Sequence, residues 1–284
     1  MDSSQLLGIT TFTYLFSTIL YAIIFIFKAK RLGLAATIFT LIAFLVQTAG
    51  LLLRWKESYQ MGYGHAPLTN MYESVIFFAW CIIFLYLLIE WKFKTRVIGA
   101  FAVPFAFLAM AYGSFASGIS KEINPLVPAL QSNWLLAHVV TCFIGYAAFA
   151  VAAGLGVMYL IKNLSESRQT TNNESLLGTL PALKVIDDIT HKTMVFGFLW
   201  LSVGIITGAI WANSAWGTYW SWDPKETWSL ITWFIYAITL HARYTRGWGG
   251  TRIAWLAIFG FLSVIFTYYG VNFLLSGLHS YGSN

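Results

Sequence analysis

Charge is what this 284-residue sequence has least of. Only 10% of its residues are Asp, Glu, Lys or Arg, whereas 58% are hydrophobic, and its mean hydropathy is +0.68. A soluble domain could not cover that much apolar surface with so few charges. The composition therefore excludes an ordinary soluble protein and indicates that most of the chain lies in a lipid bilayer.

Cysteine and the usual catalytic motifs are also scarce. The two cysteines, Cys81 and Cys142, lie inside apolar segments and form no C-x-x-C pair, so we interpret them as buried free thiols. The sequence has no H-E-x-x-H, no glycine-rich phosphate loop and no evident Ser-His-Asp pattern. Hydrolytic zinc chemistry and ATP chemistry are therefore unsupported.

The net charge of +6 could indicate nucleic acid as a partner. In a membrane protein the same charge is better explained by basic residues retained in cytosolic loops. We therefore expect membrane lipid, and no nucleic acid, around this chain. The first apolar run lacks a basic leader and a small-residue cleavage site, so it is predicted to be a retained helix.

Eight apolar segments are long enough to cross a bilayer core, which takes about 20 helical residues. They predict an all-α polytopic membrane protein in which residues 1–284 form one membrane domain. The fifth segment is rich in glycine, at positions 145, 154 and 156, which allows close helix packing. The segments cover residues 9–27, 34–53, 72–90, 97–115, 135–161, 193–212, 226–242 and 253–275.

The basic residues predict the orientation of these helices. With eight crossings, 13 of the 17 Lys and Arg residues fall in one set of loops and four in the other. The set with the larger number is predicted to be cytosolic. Residues 163–190 then form the longest cytosolic loop, and both termini face outward, to a periplasm, a cell exterior or a lumen.

Five tryptophans fall within residues 211–228, on the predicted outer side. Trp211 and Trp228 lie near predicted helix ends, where either a membrane anchor or a ligand contact is possible. The other three are predicted to lie in mid-loop and to offer a flat apolar surface to a ligand. These three are Trp216, Trp220 and Trp222.

The D-P-K-E run inside this stretch is first of all a helix start. Asp223 can cap the helix, Pro224 suits its first position, and Glu226 completes a capping box. A carboxylate-to-metal role for Asp223 is the weaker interpretation.

Histidines stand out among so few polar residues. Each could simply cap a helix end, but His138 and His279 are both predicted on the side of the Trp-rich stretch. Two neutral imidazoles on opposite faces can hold haem iron. His241 lies about 23 Å from Glu226 along the predicted seventh helix, at 1.5 Å per residue. If it binds haem, it would therefore do so at a second position, away from His138 and His279. Arg243 beside it could pair with a propionate or act as a cytosolic anchor.

The run W-G-T-Y-W-S-W-D-P-K-E-T-W resembles the tryptophan-rich WWD signature of haem-handling proteins in cytochrome c biogenesis. The chain as a whole resembles the CcsA/ResC type of the system II pathway across most of residues 50–284. The other matching motifs are G-H-A-P-L-T-N-M-Y-E-S (64–74), L-V-P-A-L-Q-S-N-W-L-L-A-H (126–138), G-I-I-T-G-A-I-W-A-N (204–213) and G-V-N-F-L-L-S-G-L-H-S-Y-G (270–282).

The resemblance implies that haem b is held at the outer face by His138 and His279, which flank the signature that contains Asp223. It also implies that His241 is an intramembrane haem-binding position. A CcsB/ResB-type membrane protein and apocytochrome c are the implied partners, in a bacterial cytoplasmic or a thylakoid membrane. The implied reaction adds the cysteine thiols of a C-x-x-C-H motif to the haem vinyl groups, as part of a holocytochrome c synthase.

Two other functions compete with this one. A small-molecule transporter would be expected to have matching Gly/Pro-broken helices in its two halves, and none are evident. A haem exporter or chaperone without synthase activity is the second alternative, against which stand the eight predicted helices and the 64–74 motif. The sequence assigns no role to His65 or His191.

Overall fold

A computed structural model of the protein describes residues 2–168 and 180–275, and within those ranges it contains helices and no strand. Short 3₁₀ turns precede α2, α4 and α5, and a π-helical turn, Phe266–Gly270, follows α8. The helices are α1 Ser3–Phe27, α2 Gly33–Gln60, α3 Met71–Phe93, α4 Gly99–Phe115, α5 Asn133–Arg168, α6 Leu183–Trp216, α7 Pro224–Arg246, α8 Thr251–Ile265 and α9 Val271–Leu274.

Seven of the described helical segments are long and apolar enough to span a membrane. They correspond to α1 to α6 and to the combined segment Thr251–Leu274. The 23-residue α7 coincides with the remaining predicted span, but it is not one of these seven. Its ends are charged, with Glu226 in the first turn and Arg243 and Arg246 in the last.

The helices extend beyond the apolar segments that predicted them. Helix α2 continues to Gln60, well past the predicted end at residue 53. The predicted loop 163–190 is wrong at both ends, because α5 continues to Arg168 and α6 already begins at Leu183. Hydropathy detects only the part of a helix that suits the bilayer core, whereas backbone hydrogen bonding continues into polar turns.

Helix α5 lies at the centre of the bundle and contacts α3, α4, α6 and α8. Its glycines permit this, as the sequence predicted. A Cβ on Gly154 would come within 2.2 Å of the Phe101 carbonyl oxygen, and one on Gly156 within 2.7 Å of the Ala254 carbonyl oxygen. Small residues let membrane helices approach this closely, which increases their dispersion contacts.

The loops gather at two ends of the bundle. At one end the Ser3 backbone N–H donates to Glu57 Oε1 at 2.9 Å, which ties the start of α1 to the end of α2. At the other end Arg243 of α7 pairs with Asp187 of α6. We call the first the Ser3 end; the starts of α3, α5 and α7 also lie there.

Candidate functional site

A cavity of about 210 Å³ opens to the exterior at the Ser3 end of the bundle. Its aromatic walls are Phe143, Tyr146, Trp211, Tyr219, Trp220 and Tyr268. Its polar lining is Thr69, Asn70, Ser74, His138, Cys142, Lys225, Glu226, Ser229, Thr267 and Asn272.

His138, near the start of α5, lines this cavity as predicted. Its Nδ1 lies 2.7 Å from the carbonyl oxygen of Gly204 on α6. A carbonyl oxygen can only accept, so Nδ1 carries the hydrogen and Nε2 of the neutral ring keeps its lone pair. Backbone carbonyls orient metal-binding histidines in this way. The His138 imidazole therefore presents Nε2 as a potential metal ligand.

Two glycines of α6 make room for this arrangement. A Cβ on Gly208 would lie 2.5 Å from His138 Nδ1, and a Cβ on Gly204 would lie 2.5 Å from Cys142 Sγ. Both distances are shorter than any normal contact with a Cβ. Gly204 and Gly208 are four residues apart and so lie on one face of α6. That face makes room for His138, a packing role that the 204–213 motif alone does not reveal.

Trp211 is a cavity wall and not the surface anchor that its position near a helix end allowed. It is only 2% exposed, and its Nε1 donates to the Ala129 carbonyl oxygen at 2.9 Å. Its ring lies 16° from parallel to the His138 ring, with centroids 6.0 Å apart. The hydrogen bond and the neighbouring imidazole fix this indole as a flat apolar surface beside His138, the candidate metal-binding residue.

The three tryptophans predicted as a mid-loop platform have different positions. The prediction is wrong for Trp216, which ends α6 and packs edge-on against Trp211 at a centroid distance of 4.9 Å. Trp220 lines the cavity. Trp222 is 68% exposed, adopts φ +60° and contacts the Trp220 ring edge-on. In the described structure, Trp211 and Trp220 are the indoles that border the cavity.

The D-P-K-E helix start is confirmed. The Asp223 carboxylate accepts the backbone N–H of Lys225 at 2.9 Å, and Pro224 occupies the first helical position. Glu226 Oε2 in turn accepts the backbone N–H groups of Ser221, at 2.8 Å, and Asp223, at 3.2 Å. The two acidic side chains thus hold the end of the 217–223 loop against the start of α7.

Lys225 is a site residue that the sequence analysis did not select. It lines the cavity, and its Nζ donates to Asn272 Oδ1 at 2.9 Å, which links the start of α7 to α9. Lys225 lies just before the predicted membrane span 226–242. Burial lowers the pKa of its ammonium group to about 8. It therefore keeps its charge at neutral pH. Its only sequence signal was a cation beside a Trp-rich loop.

Residues 68–71 and 74 of the 64–74 motif line the cavity, and the motif is fixed by a buried ion pair. Arg54 Nε lies 2.7 Å from Glu73 Oε1, and both side chains are almost fully buried. Glu73 Oε2 also accepts the backbone N–H and the hydroxyl of Thr69, at 2.9 and 2.8 Å. His65 is held by the carbonyl oxygens of Ala66 and Asn124, at 3.1 and 2.9 Å from its two ring nitrogens. We therefore assign His65 a structural role in this loop.

The remaining predicted residues are not brought into the cavity by the described structure. His241 is exposed near the end of α7 and does not line the cavity. Arg243 is committed to a bidentate pair with Asp187, at 3.0 and 2.7 Å, which argues against a propionate contact there. His191 lies near this pair, edge-on to Tyr244. His279 lies outside the described residues.

These groups together suit a flat metal complex that bears an anionic side chain. The imidazole offers a nitrogen lone pair, the indoles offer flat apolar contact, and Lys225 offers positive charge. Trp220 Nε1 is buried and has no hydrogen-bond partner among the described atoms, so a donor is left for a ligand.

Comparison with known proteins agrees with this chemistry. A family model described as "Cytochrome C assembly protein" matches residues 68–279. Proteins named "Cytochrome c biogenesis protein CcsA" are 44% identical in Chlamydomonas reinhardtii and 39% identical in Guillardia theta. The alignments cover 82% of this chain and 64% of the first protein, and 97% of this chain and 95% of the second.

A solved structure is also similar. The chain named "Cytochrome c Heme Lyase CcmF" superposes with a TM-score of 0.69 over 94% of this chain and 47% of its own length. The sequence identity is 16%, so this likeness establishes a shared helical fold.

Proposed function

Because this chain belongs to the cytochrome c assembly protein family, we propose that it is the haem-handling subunit of a system II cytochrome c synthase. One observation carries the proposal. His138 offers Nε2 inside an open cavity that Trp211 and Trp220 border, at one end of a membrane helix bundle. This is the set of groups needed to hold haem b, the protein's substrate, by its iron and its faces.

His138 is one axial ligand in this proposal, and His279 is the other. The assignment of His279 rests on its place in the 270–282 motif and on the sequence resemblance. Trp216 supports the Trp211 ring from behind, and Trp222 supports the Trp220 ring from the exposed side. Asp223 acts indirectly, by fixing the loop that carries Trp220 and Trp222 to α7.

The chain crosses the membrane eight times in this proposal, with both termini and the cavity on the non-cytosolic side. Helix α7 supports the eighth crossing, because Lys225 at its start contacts α9 at the Ser3 end, and Arg243 near its end contacts Asp187 at the opposite end. The division of Lys and Arg residues, 13 against four, supports the orientation. The membrane is a bacterial cytoplasmic or a thylakoid membrane.

The reaction we propose is thioether formation on apocytochrome c. Each cysteine S–H adds across a haem vinyl C=C, so a C–S bond forms, the proton goes to the neighbouring carbon, and no net oxidation occurs. This chain contributes positioning, since fixing two reactants together removes much of the barrier. The cavity walls hold the haem, and the open side admits the C-x-x-C-H segment.

His241 is proposed to serve a second haem position together with a CcsB/ResB-type partner. Its side chain is exposed, as are Phe234 and Ile238 on the same face of α7. An exposed ionisable group on an apolar membrane helix is costly unless it finds a partner. This explains why a complete inner site would need a second protein.

The test is the visible spectrum of the purified chain, co-expressed with its partner. We expect a low-spin haem spectrum with two histidine ligands, and His138→Ala should remove it or shift it. Added imidazole should restore the spectrum of His138→Ala, because it replaces the missing ligand without repairing a folding defect. His191→Ala, at the opposite end of the bundle, is the matched control and should leave this haem in place.

Three outcomes separate the alternatives. A wild-type protein without haem would refute the proposal. Haem binding without thioether formation on a co-expressed apocytochrome c would favour an exporter or chaperone. Normal haem loading in His241→Ala would remove the second position and leave the His138 site intact.

A further inference from the structure

Lys225 places a positive charge in the cavity and forms no ion pair with another described residue. Its ammonium has three N–H donors, and one of them is used by Asn272 Oδ1 at 2.9 Å. None of the ion pairs between described residues includes Lys225. A partly buried charge outside an ion pair is costly, which indicates that the cavity can accept an anion.

The neighbouring carboxylates do not remove this requirement. Asp223 lies close enough to favour the charged form of Lys225, but its carboxylate accepts the Lys225 backbone N–H. Glu226 Oε2 accepts N–H groups from Ser221 and Asp223. Both acidic groups are thus engaged in the helix start.

Trp220 supplies an independent sign of a missing acceptor. Its Nε1 is buried and has no hydrogen-bond partner in the described structure. Leaving such a donor unpaired costs about 1–3 kcal/mol. Trp220 lines the same cavity as Lys225 and His138. A ligand that carries acceptor oxygens could take a hydrogen bond from the indole N–H and from the ammonium.

We propose that Lys225 and Trp220 Nε1 bind a carboxylate of the ligand that fills the His138 cavity. The identity of that ligand rests on the function proposed above, in which the carboxylate is a haem propionate. The lysine supplies charge, the indole N–H supplies direction, and Asn272 positions the lysine.

Such a contact would also determine which edge of the haem is exposed. The propionates and the vinyl groups of haem b lie on different halves of the ring. Holding a propionate at the start of α7 turns the vinyl half of the ring away from Lys225. The carboxylate contact is therefore a positioning device for the thioether reaction.

The experiment compares two probes, ferric protoporphyrin IX and its dimethyl ester, which lacks the carboxylate charges. Each is titrated into the full-length protein in detergent and followed by Soret absorbance. We expect wild type to prefer the free acid, and Lys225→Met to reduce that preference by at least about tenfold, the scale of one lost charge-assisted hydrogen bond. Lys121→Met is the control, because Lys121 donates to the Ser114 carbonyl oxygen at 2.8 Å and does not line the cavity.

Trp220→Phe keeps a ring in place and removes only the donor, so it should reduce the preference for the free acid as well. This variant carries the test if Lys225→Met fails to fold. An unchanged preference in either folded variant, or no preference in wild type, would overturn the carboxylate site. Wild-type protein that binds neither probe would instead refute the proposed haem function.

Discussion

Gly208 offers the sharpest test of how the His138 imidazole is held. An added Cβ would lie 2.5 Å from His138 Nδ1 and 2.7 Å from Cε1, closer than such atoms can approach. The ring is the mobile end of a side chain, so it will turn aside while α6 stays in place. The 2.7 Å bond from Nδ1 to the Gly204 carbonyl oxygen is then lost, together with the orientation of Nε2.

We therefore expect Gly208→Ala to weaken haem binding much more than it weakens the fold. Removing the hydrogen bond that orients a metal-binding histidine costs about 10–100-fold in affinity, or roughly 1.4–2.7 kcal/mol. Haem titration followed by Soret absorbance measures the affinity, and thermal unfolding in detergent measures stability.

Two glycines provide matched controls. A Cβ on Gly156 would meet the Ala254 backbone oxygen at 2.7 Å, and a backbone atom cannot turn aside. Gly156→Ala should therefore lose stability, by about 1–3 kcal/mol for overpacking. It should keep its haem affinity, since Gly156 lies about 27 Å along α5 from His138 at 1.5 Å per residue. Gly8 has nothing within 4 Å, so Gly8→Ala should leave haem affinity unchanged and should not lower stability.

A folded Gly208→Ala protein with wild-type affinity and spectrum would refute this reasoning. It would mean either that the imidazole binds haem without its Gly204 bond or that His138 is not a ligand. Imidazole rescue of His138→Ala distinguishes these two cases.

Three further predictions concern the polar groups around the cavity. The preference for free-acid porphyrin over its dimethyl ester should fall as pH rises through about 8, because the pKa of Lys225 is lowered to that value and its charge is lost above it. Porphyrin titrations on either side of that pH measure the preference, and a preference that does not change with pH would contradict the prediction. Glu73→Gln leaves the buried Arg54 without its counter-charge, so the free energy of unfolding should fall by about 3–5 kcal/mol. An unchanged melting temperature would disprove this prediction. Asp223→Ala removes the α7 cap, so the free energy of unfolding should fall by about 0.5–2 kcal/mol and proteolysis of the 217–223 loop should become faster. Equal cleavage rates in the variant and the wild type would exclude the capping role.

Local patterns predicted the parts of the fold that depend on local physics. Apolar run length located the helices, and the D-P-K-E run located the start of α7, because capping needs only adjacent residues. The glycines of α5 were correctly interpreted as packing positions, since small residues favour close helix contact wherever the partner lies.

The site depends on contacts that a single sequence does not reveal. The sequence suits Trp211 equally well to a lipid belt or to a ligand contact, and its burial follows from the approach of α5 and from the Ala129 carbonyl. Hydropathy predicts a loop at Trp216 because it falls before α6 ends. Lys225 looked like an ordinary loop cation, and only its cavity position and its bond to Asn272, far along the chain, give it a role.

The walls of the cavity are held by polar contacts, and the membrane environment explains why. Apolar burial between helices stabilises little in lipid, because the lipid tails are equally apolar. Polar pairs are directional, and an unpaired group in such surroundings is costly, so they define positions that apolar packing leaves open. The Arg54–Glu73 pair fixes the loop before α3, the Glu226 carboxylate fixes the loop before α7, and the Gly204 carbonyl fixes His138. Three independent polar anchors thus converge on one cavity, so loosening any one of them should change how a ligand is oriented before it unfolds the bundle.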